Sequence, residues 1–297
     1  MNSLAPLNNK FTKAFSFNFS RHIIFFQTHI SDSETDVVSF SAYQSSQPSM
    51  FERLVPLGSW CRAAHQCRAH AEGLNFQKTK SGPFDWTITP FRSLSKIIRN
   101  EIDLKLVLNP IDSYINRVGS VTCGYTGITF HHHLTRQIVN DFGGQKNDQT
   151  VPRELLKSNK WIDTKKRFAH TLENFKRIST QKGNLYVRWM RNGRQADSIR
   201  EFPDVFDGEH PSKLKKLLRS QGLFASSGLI HVTTEVLEGA TEPIKKPIKS
   251  ISKISNNCWE CIIQERKGFN GDQTYNFKGD EYSWKKLLEE IANKNET

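Results

Sequence analysis

At 297 residues, with 36% hydrophobic and 11% aromatic residues, the chain can hold one large domain or two small ones and is too apolar for wholesale disorder. The net charge of +12 is spread along the chain, as at Lys213, Lys215, Lys216 and Arg219, without zinc-finger spacing, an RNP-type aromatic motif or a basic-zipper pattern. Specific nucleic-acid recognition is therefore not expected, and no apolar run approaches the ~20 residues that span a bilayer. Five unevenly spaced cysteines (Cys61, Cys67, Cys123, Cys258, Cys261) do not make a secreted disulfide framework; the expectation is free thiols in a reducing, cytoplasmic setting.

Residues 1–49 are rich in Ser, Asn and Phe and carry no acid before Asp32. They read as a flexible leader, a transit-type segment, or an upstream extension of a chain starting at Met50. The boundary is placed near Met50, leaving 50–297 as one domain. Arg53–Leu57 then reads as a short strand, Gly58-Ser59 as a turn, and Cys61–Glu72 as an Ala-rich helix closed by Gly73. Pro90 opens a helix over Phe91–Ile102, with Phe91, Leu94, Ile97 and Ile98 on one face. Ser120–His133, with Gly124, Gly127 and alternating Ile128 and Phe130, reads as a hairpin ending in histidines.

Helices are expected over Pro152–Ser158 and Thr164–Ile178. Leu185–Met190 (strand), Ser212–Ser220 (helix) and Leu229–Thr234 (strand) form a β-α-β unit, which implies parallel pairing. Glu242–Lys253 reads as a Lys/Pro-rich connection, Trp259–Gln264 as a late strand and Ser283–Asn293 as a closing amphipathic helix. Such alternation predicts an α/β fold, a mixed and mostly parallel sheet flanked by helices; an α+β, papain-like arrangement is the alternative.

Cys61 stands where a short apolar run ends and a helix begins. Helix-start N–H groups and the backbone dipole favour anions, so a thiol there is expected to ionise more easily and to have oxyanion donors at hand. The plainer reading is a small buried hydrophobe. Gly58 and Ser59 permit a tight turn that aims N–H groups inward, as an oxyanion or anion-binding element. His65, four residues on, shares the helix face of Cys61 and leans toward it, or is a partly exposed helix residue.

In Phe130-His131-His132-His133-Leu134, strand alternation would put His132 on the buried face with Phe130, as a base for the thiol. The competing readings are a divalent-metal site, which would need ligands from elsewhere, and a polar strand end. Asp85, framed by Pro83-Phe84 and Trp86, needs partners if buried; it orients a catalytic imidazole or braces its turn. Arg188 and Arg191 sit at a strand end where ligands gather in α/β sheets, as anion contacts or as surface arginines. Cys258-Trp259-Glu260-Cys261 has CxxC spacing but reads as core packing. No cofactor is expected.

These strings together resemble a bacterial family of unknown function labelled as papain-like cysteine peptidases. Leu57-Gly58-Ser59-Trp60-Cys61 fits its Leu-Gly-Ser-x-Cys motif, and Pro83-Phe84-Asp85-Trp86 with Thr89-Pro90 fits its second motif. Phe130-His131-His132-His133-Leu134 fits a Phe-x-His-Asp-Phe-like string in part, with His133 where many relatives carry Asp. Lys165-Lys166-Arg167-Phe168 and Tyr186-Val187-Arg188 resemble its later elements, so the likeness runs from about Val55 to Trp189. The resemblance implies Cys61 as nucleophile and His132 as base, with Asp85 the leading candidate for the third role. It implies a cysteine peptidase or a related thiol-dependent hydrolase or acyltransferase, acting on an acyl, peptide or acidic substrate. A binding domain for an anionic glycan or phosphate group at the Gly58–Cys61 turn is the non-catalytic alternative.

Overall fold

The computed structural model describes the backbone of residues 15–19 and 22–26, then residues 50–191, 209–224, 226–237, 244–266 and 280–294. The first unit is described only as an antiparallel hairpin of β1 (Phe15–Phe19) and β2 (His22–Phe26), with Phe15 opposite Phe26. The remainder of the expected leader, and the side chain of Arg191, lie outside the described residues.

The second unit begins at Met50. Strand β3 (Arg53–Pro56) runs through the Gly58-Ser59 turn into helix α1 (Cys61–Ala71). Helix α2 (Phe91–Ile98) follows Pro90 and stops four residues short of the expected end, because Asn100 takes a left-handed conformation (φ 59°). Short strands β4 (Ser113–Ile115) and β5 (Val121–Cys123) pair antiparallel, and β5 folds back on residues 128–130 through Gly127. Helices α3 (Arg136–Asp141) and α4 (Arg153–Lys157) lead to α5 (Asn159–Ser179), which starts five residues earlier than its apolar period suggests. The Ser158 hydroxyl caps it by accepting the Trp161 N–H at 3.3 Å.

Strand β6 (Asn184–Arg191), helix α6 (Pro211–Ser220) and strand β7 (Gly228–Leu237) form the expected parallel β-α-β unit. Strands β8 (Ile248–Ser255) and β9 (Cys258–Arg266) and helix α7 (Glu281–Asn293) complete the fold. The sheet order is β3-β6-β7-β9-β8, with the first four strands parallel and β8 antiparallel at the edge. This is the α/β architecture, not the α+β alternative. The connection expected over Glu242–Lys253 is corrected: its second half belongs to β8. An edge strand needs less apolar surface than a central one, and exposed lysines along it, Lys249 and Lys253, discourage pairing with a further chain.

Alternation along the strands divides the core in two. Leu54, Leu185, Val187, Trp189, Ile230, Val232, Trp259, Cys261 and Ile263 face α1 and α7. Val55, Tyr186, Leu229 and Cys258 face α2, α5, α6 and the hairpin region. On α7, Trp284, Leu287, Leu288 and Ile291 recur at i, i+3, i+4 and i+7, and all are fully buried. Burying each contributes about 1.5–3 kcal/mol. The CxxC cysteines lie one on each face and both are buried, which agrees with core packing.

Among the described residues no helix is long and apolar enough to cross a membrane.

Candidate active site

The β3–α1 junction is an edge-strand exit held to its neighbour. Leu57 N–H donates to Val187 O at 2.8 Å, and Trp189 N–H donates to Gly58 O at 3.0 Å. Gly58 sits at φ +76°, a backbone setting that favours glycine, and the Gly58-Ser59 peptide is cis. The Ser59 N–H and its Oγ–H both donate to Trp189 O, at 3.2 and 2.7 Å. Ser59 O in turn accepts the Thr89 N–H at 2.7 Å. The turn expected to point donors inward thus spends those of Ser59 on the sheet; Gly58 and Ser59 aim the start of α1. Trp60 precedes the helix without a side-chain capping bond, and no acidic residue lies in the first turn.

Cys61 opens α1 with 9% of its surface exposed. Its Sγ lies 3.2 Å from Nε2 of His132. The two residues are 71 positions apart, so the contact is entirely a product of the fold. The three histidines occupy a turn rather than the expected strand: His133 and Leu134 N–H both donate to Phe130 O, at 3.2 and 2.9 Å. Phe130 is fully buried against Phe168 of α5, which fixes the root of the turn. His132 reaches the thiol through turn geometry, not through strand alternation with Phe130. His65 lies one helical turn beyond Cys61 and is half-buried.

The imidazole of His132 is flanked by rings. Trp86 meets it edge-on at 5.6 Å and His131 at 5.3 Å, and His131 Nδ1 is 3.0 Å from Ser120 Oγ. Asp85, buried beside Trp86, pairs through Oδ2 with Arg68 and with the Gly82 N–H at 3.0 Å, while Oδ1 takes no hydrogen bond. Its carboxylate therefore engages an arginine and its own turn rather than an imidazole. Arg68 also lies over the Trp86 ring at 5.4 Å, so Asp85 touches the histidine only at second hand, through Arg68 and Trp86. Burial raises the Asp85 carboxyl to about 6 despite the pull of Arg68 and the Gly82 N–H.

The electrostatics differ from the expectation for a helix-start thiol. Burial pushes Cys61 above the ordinary thiol range, outweighing the opposing pull of the Arg62 charge and its own backbone N–H. Burial likewise lowers His132. Both shifts favour the uncharged forms of the pair, thiol and neutral imidazole.

Two buried ion pairs that the sequence did not announce flank the site. Arg62, next to the thiol, is 1% exposed, pairs with Glu265 of β9 and lies over the Trp189 ring at 4.3 Å. Glu265 Oε1 also accepts the Trp284 Nε1–H and the Asp280 N–H, both at 3.2 Å. On the other sheet face Arg188 is fully buried and bonded to Glu209, at 2.8 Å from Nε and 2.7 Å from Nη2. The expectation of an anion contact or a surface arginine at Arg188 is corrected: its guanidinium is buried and closed by Glu209 and two backbone carbonyls. Acidic partners so distant in sequence leave no local signal. Among the described residues, no three His, Cys, Asp or Glu side chains gather in a way that could hold a metal ion.

The fold thus sets a cysteine at a strand–turn–helix junction of a mostly parallel α/β sheet, with an imidazole at its sulfur. The chain belongs to the family described as "Putative papain-like cysteine peptidase (DUF1796)", which it matches over residues 52–201. That span holds Cys61, Asp85, His132 and Arg188, and ends before Glu209 and Glu265. No curated protein and no solved structure matches the chain.

Proposed function

We propose that this protein is a thiol-dependent hydrolase or acyltransferase, of the peptidase type its family is named for, working through an acyl-thioester on Cys61. The observation that carries the reading is the 3.2 Å separation of His132 Nε2 from Cys61 Sγ. Sγ attacks the carbonyl carbon of an amide, ester or thioester while its proton passes to Nε2. First-turn N–H groups of α1 stabilise the resulting oxyanion. As the tetrahedral adduct collapses, the carbon–heteroatom bond breaks and the leaving group takes the proton from His132. Water or another acceptor, deprotonated by His132, then attacks the thioester and releases Sγ with its proton restored. Because thiol and imidazole rest uncharged, His132 works as a general base, a contribution of about 10²–10⁴ in rate.

Five free, buried cysteines suit a reducing compartment such as the cytoplasm. The anion-binding alternative draws no support from the turn, since the Ser59 donors are committed to Trp189 O. The test is acetylation by p-nitrophenyl acetate, followed as p-nitrophenolate release and as acetyl on the Cys61 peptide. Cys61→Ala should abolish the rapid phase, and His132→Ala should slow it by about 100-fold or more. A Cys61→Ala protein with an undiminished rapid phase would overturn the proposal.

A further inference from the structure

The β6–β7 register places Arg188 and His231 side by side on one sheet face, level with the point where β3 leaves the sheet for the Cys61 turn. Both side chains are buried there and meet Glu209, which immediately precedes the His210-capped helix α6. The Glu209 side chain is fully buried, with Oε1 3.4 Å from His231 Nε2. A glutamate and an arginine taken wholly out of water cost desolvation that a simple apolar plug would not incur. The geometry points to what the pair supplies in return.

Held by Glu209 through Nε and Nη2, the Arg188 fork has its remaining donors aimed at two backbone carbonyls. Nη1 donates to Leu57 O at 2.7 Å and Nη2 to Thr89 O at 3.1 Å. Leu57 O lies just before the Gly58-Ser59 turn that delivers Cys61. Thr89 closes the segment carrying Asp85 and Trp86, and Trp86 packs on His132. One planar group therefore joins the segment that carries the sulfur to the segment that steers the imidazole. Gly58 is fitted to it as well, since a Cβ there would lie 3.1 Å from Nη1.

We infer that Glu209 and Arg188 are positioning residues: Glu209 locks the Arg188 guanidinium so that it holds the Leu57–Cys61 turn and the Trp86–Thr89 segment in register, setting the Cys61–His132 geometry. Lysine could not replace the arginine, because an ammonium has no planar fork to bond a carboxylate and two separate carbonyls at once. The inference rests on the Cys61–His132 reading above and extends the working site to an acid outside the matched span of the family.

The test uses the full chain, with Glu209→Gln and, because an unpaired buried arginine can compromise folding, Arg188→Lys, which retains the ion pair. Amide hydrogen exchange reads the tether without reference to chemistry. Protection of Ser59 and Thr89 N–H should fall tenfold or more in a folded variant, while β7 and β9 amides keep theirs. Acetylation of Cys61 by p-nitrophenyl acetate reads positioning. Each variant should lose tenfold or more in rate, and the penalty of adding His132→Ala should shrink by a similar factor. A residue needed only for folding would leave that penalty at full size. Unchanged protection at Ser59 and Thr89, or an undiminished His132 penalty in either variant, would overturn the inference. A wild-type rate indifferent to His132→Ala would instead bring down the functional reading, and the positioning role with it.

Discussion

The ionisation of Cys61 is the point at which structure and first expectation part, and it can be measured. Burial raises the thiol above its ordinary 9.0 and lowers His132 below its ordinary 6.5. With a pKa above 9, fewer than about one molecule in a hundred carries thiolate at pH 7. A thiolate–imidazolium pair would instead put the thiol near ~4. A single rate at pH 7 cannot separate the two. Across ~5 units of pKa the ion pair gains about 100-fold in thiolate, but loses about 100–300-fold in nucleophilicity at a Brønsted slope of 0.4–0.5. The shape of the profile does separate them. Alkylation of Cys61 by iodoacetamide, followed on its own peptide from pH 4 to 10, should rise continuously and show its inflection above pH 9. Acetylation by p-nitrophenyl acetate should fall as pH drops through the lowered His132 value, because imidazolium cannot accept the sulfur proton. Cys67 and Cys261, whose thiols burial pushes up further, serve as unreactive controls. An alkylation inflection below pH ~6 would refute the uncharged pair and with it the general-base assignment.

Three further outcomes follow from contacts around the thiol. Replacing Gly58 by Ala forces a side chain into a left-handed backbone and toward Arg188, so unfolding by urea should show a loss of about 1–2 kcal/mol, with Cys61 acetylation falling by more than that loss alone explains. Asp85, raised to about 6, holds a proton in the folded state that it sheds when unfolded, so its ionisation subtracts stability as pH climbs from about 4 through 6. Urea titrations should find wild type losing ground to Asp85→Asn across that window by up to about 3 kcal/mol, and a constant gap would contradict the raised carboxyl. Arg62→Met strips the charge that pulls the Cys61 thiol down and leaves Glu265 buried with its amide and indole donors. The expected cost is about 3–5 kcal/mol, with the alkylation inflection displaced upward; an unmoved inflection would remove Arg62 from the thiol's surroundings.

Much of the frame was legible because its signals are local. The β-α-β pattern of β6, α6 and β7 gave parallel pairing, and the Cys61 helix start lies within a residue of its expected position. Cys61 and His132 lie 71 positions apart and meet at 3.2 Å through the fold, with His132 on a turn that strand alternation does not describe. β8 was hidden by lysines that an edge strand tolerates, and β4 by being only three residues long. Local context could not reveal whom Asp85 and Arg188 would meet. A buried charge is decided by its partner, and Arg68 and Glu209 are brought in by packing across 17 and 21 positions. Arg62 carries no local signal for the same reason, its acid lying 203 positions downstream.

The sheet has a consequence for when the thiol becomes competent. Everything from Leu57 to Gly183 is a single excursion between two neighbouring strands, and it carries sulfur, imidazole and the rings around them, whereas the clasping arginine and its acid arrive later in the chain. Contacts of such long sequence separation form late, after the entropy of closing large loops has been met. During synthesis, then, the cysteine emerges well before the groups that would set it to work. On the proposed reading the architecture itself withholds chemistry from an unfinished polypeptide, and the onset of Cys61 acylation should mark the last stage of assembly rather than the first.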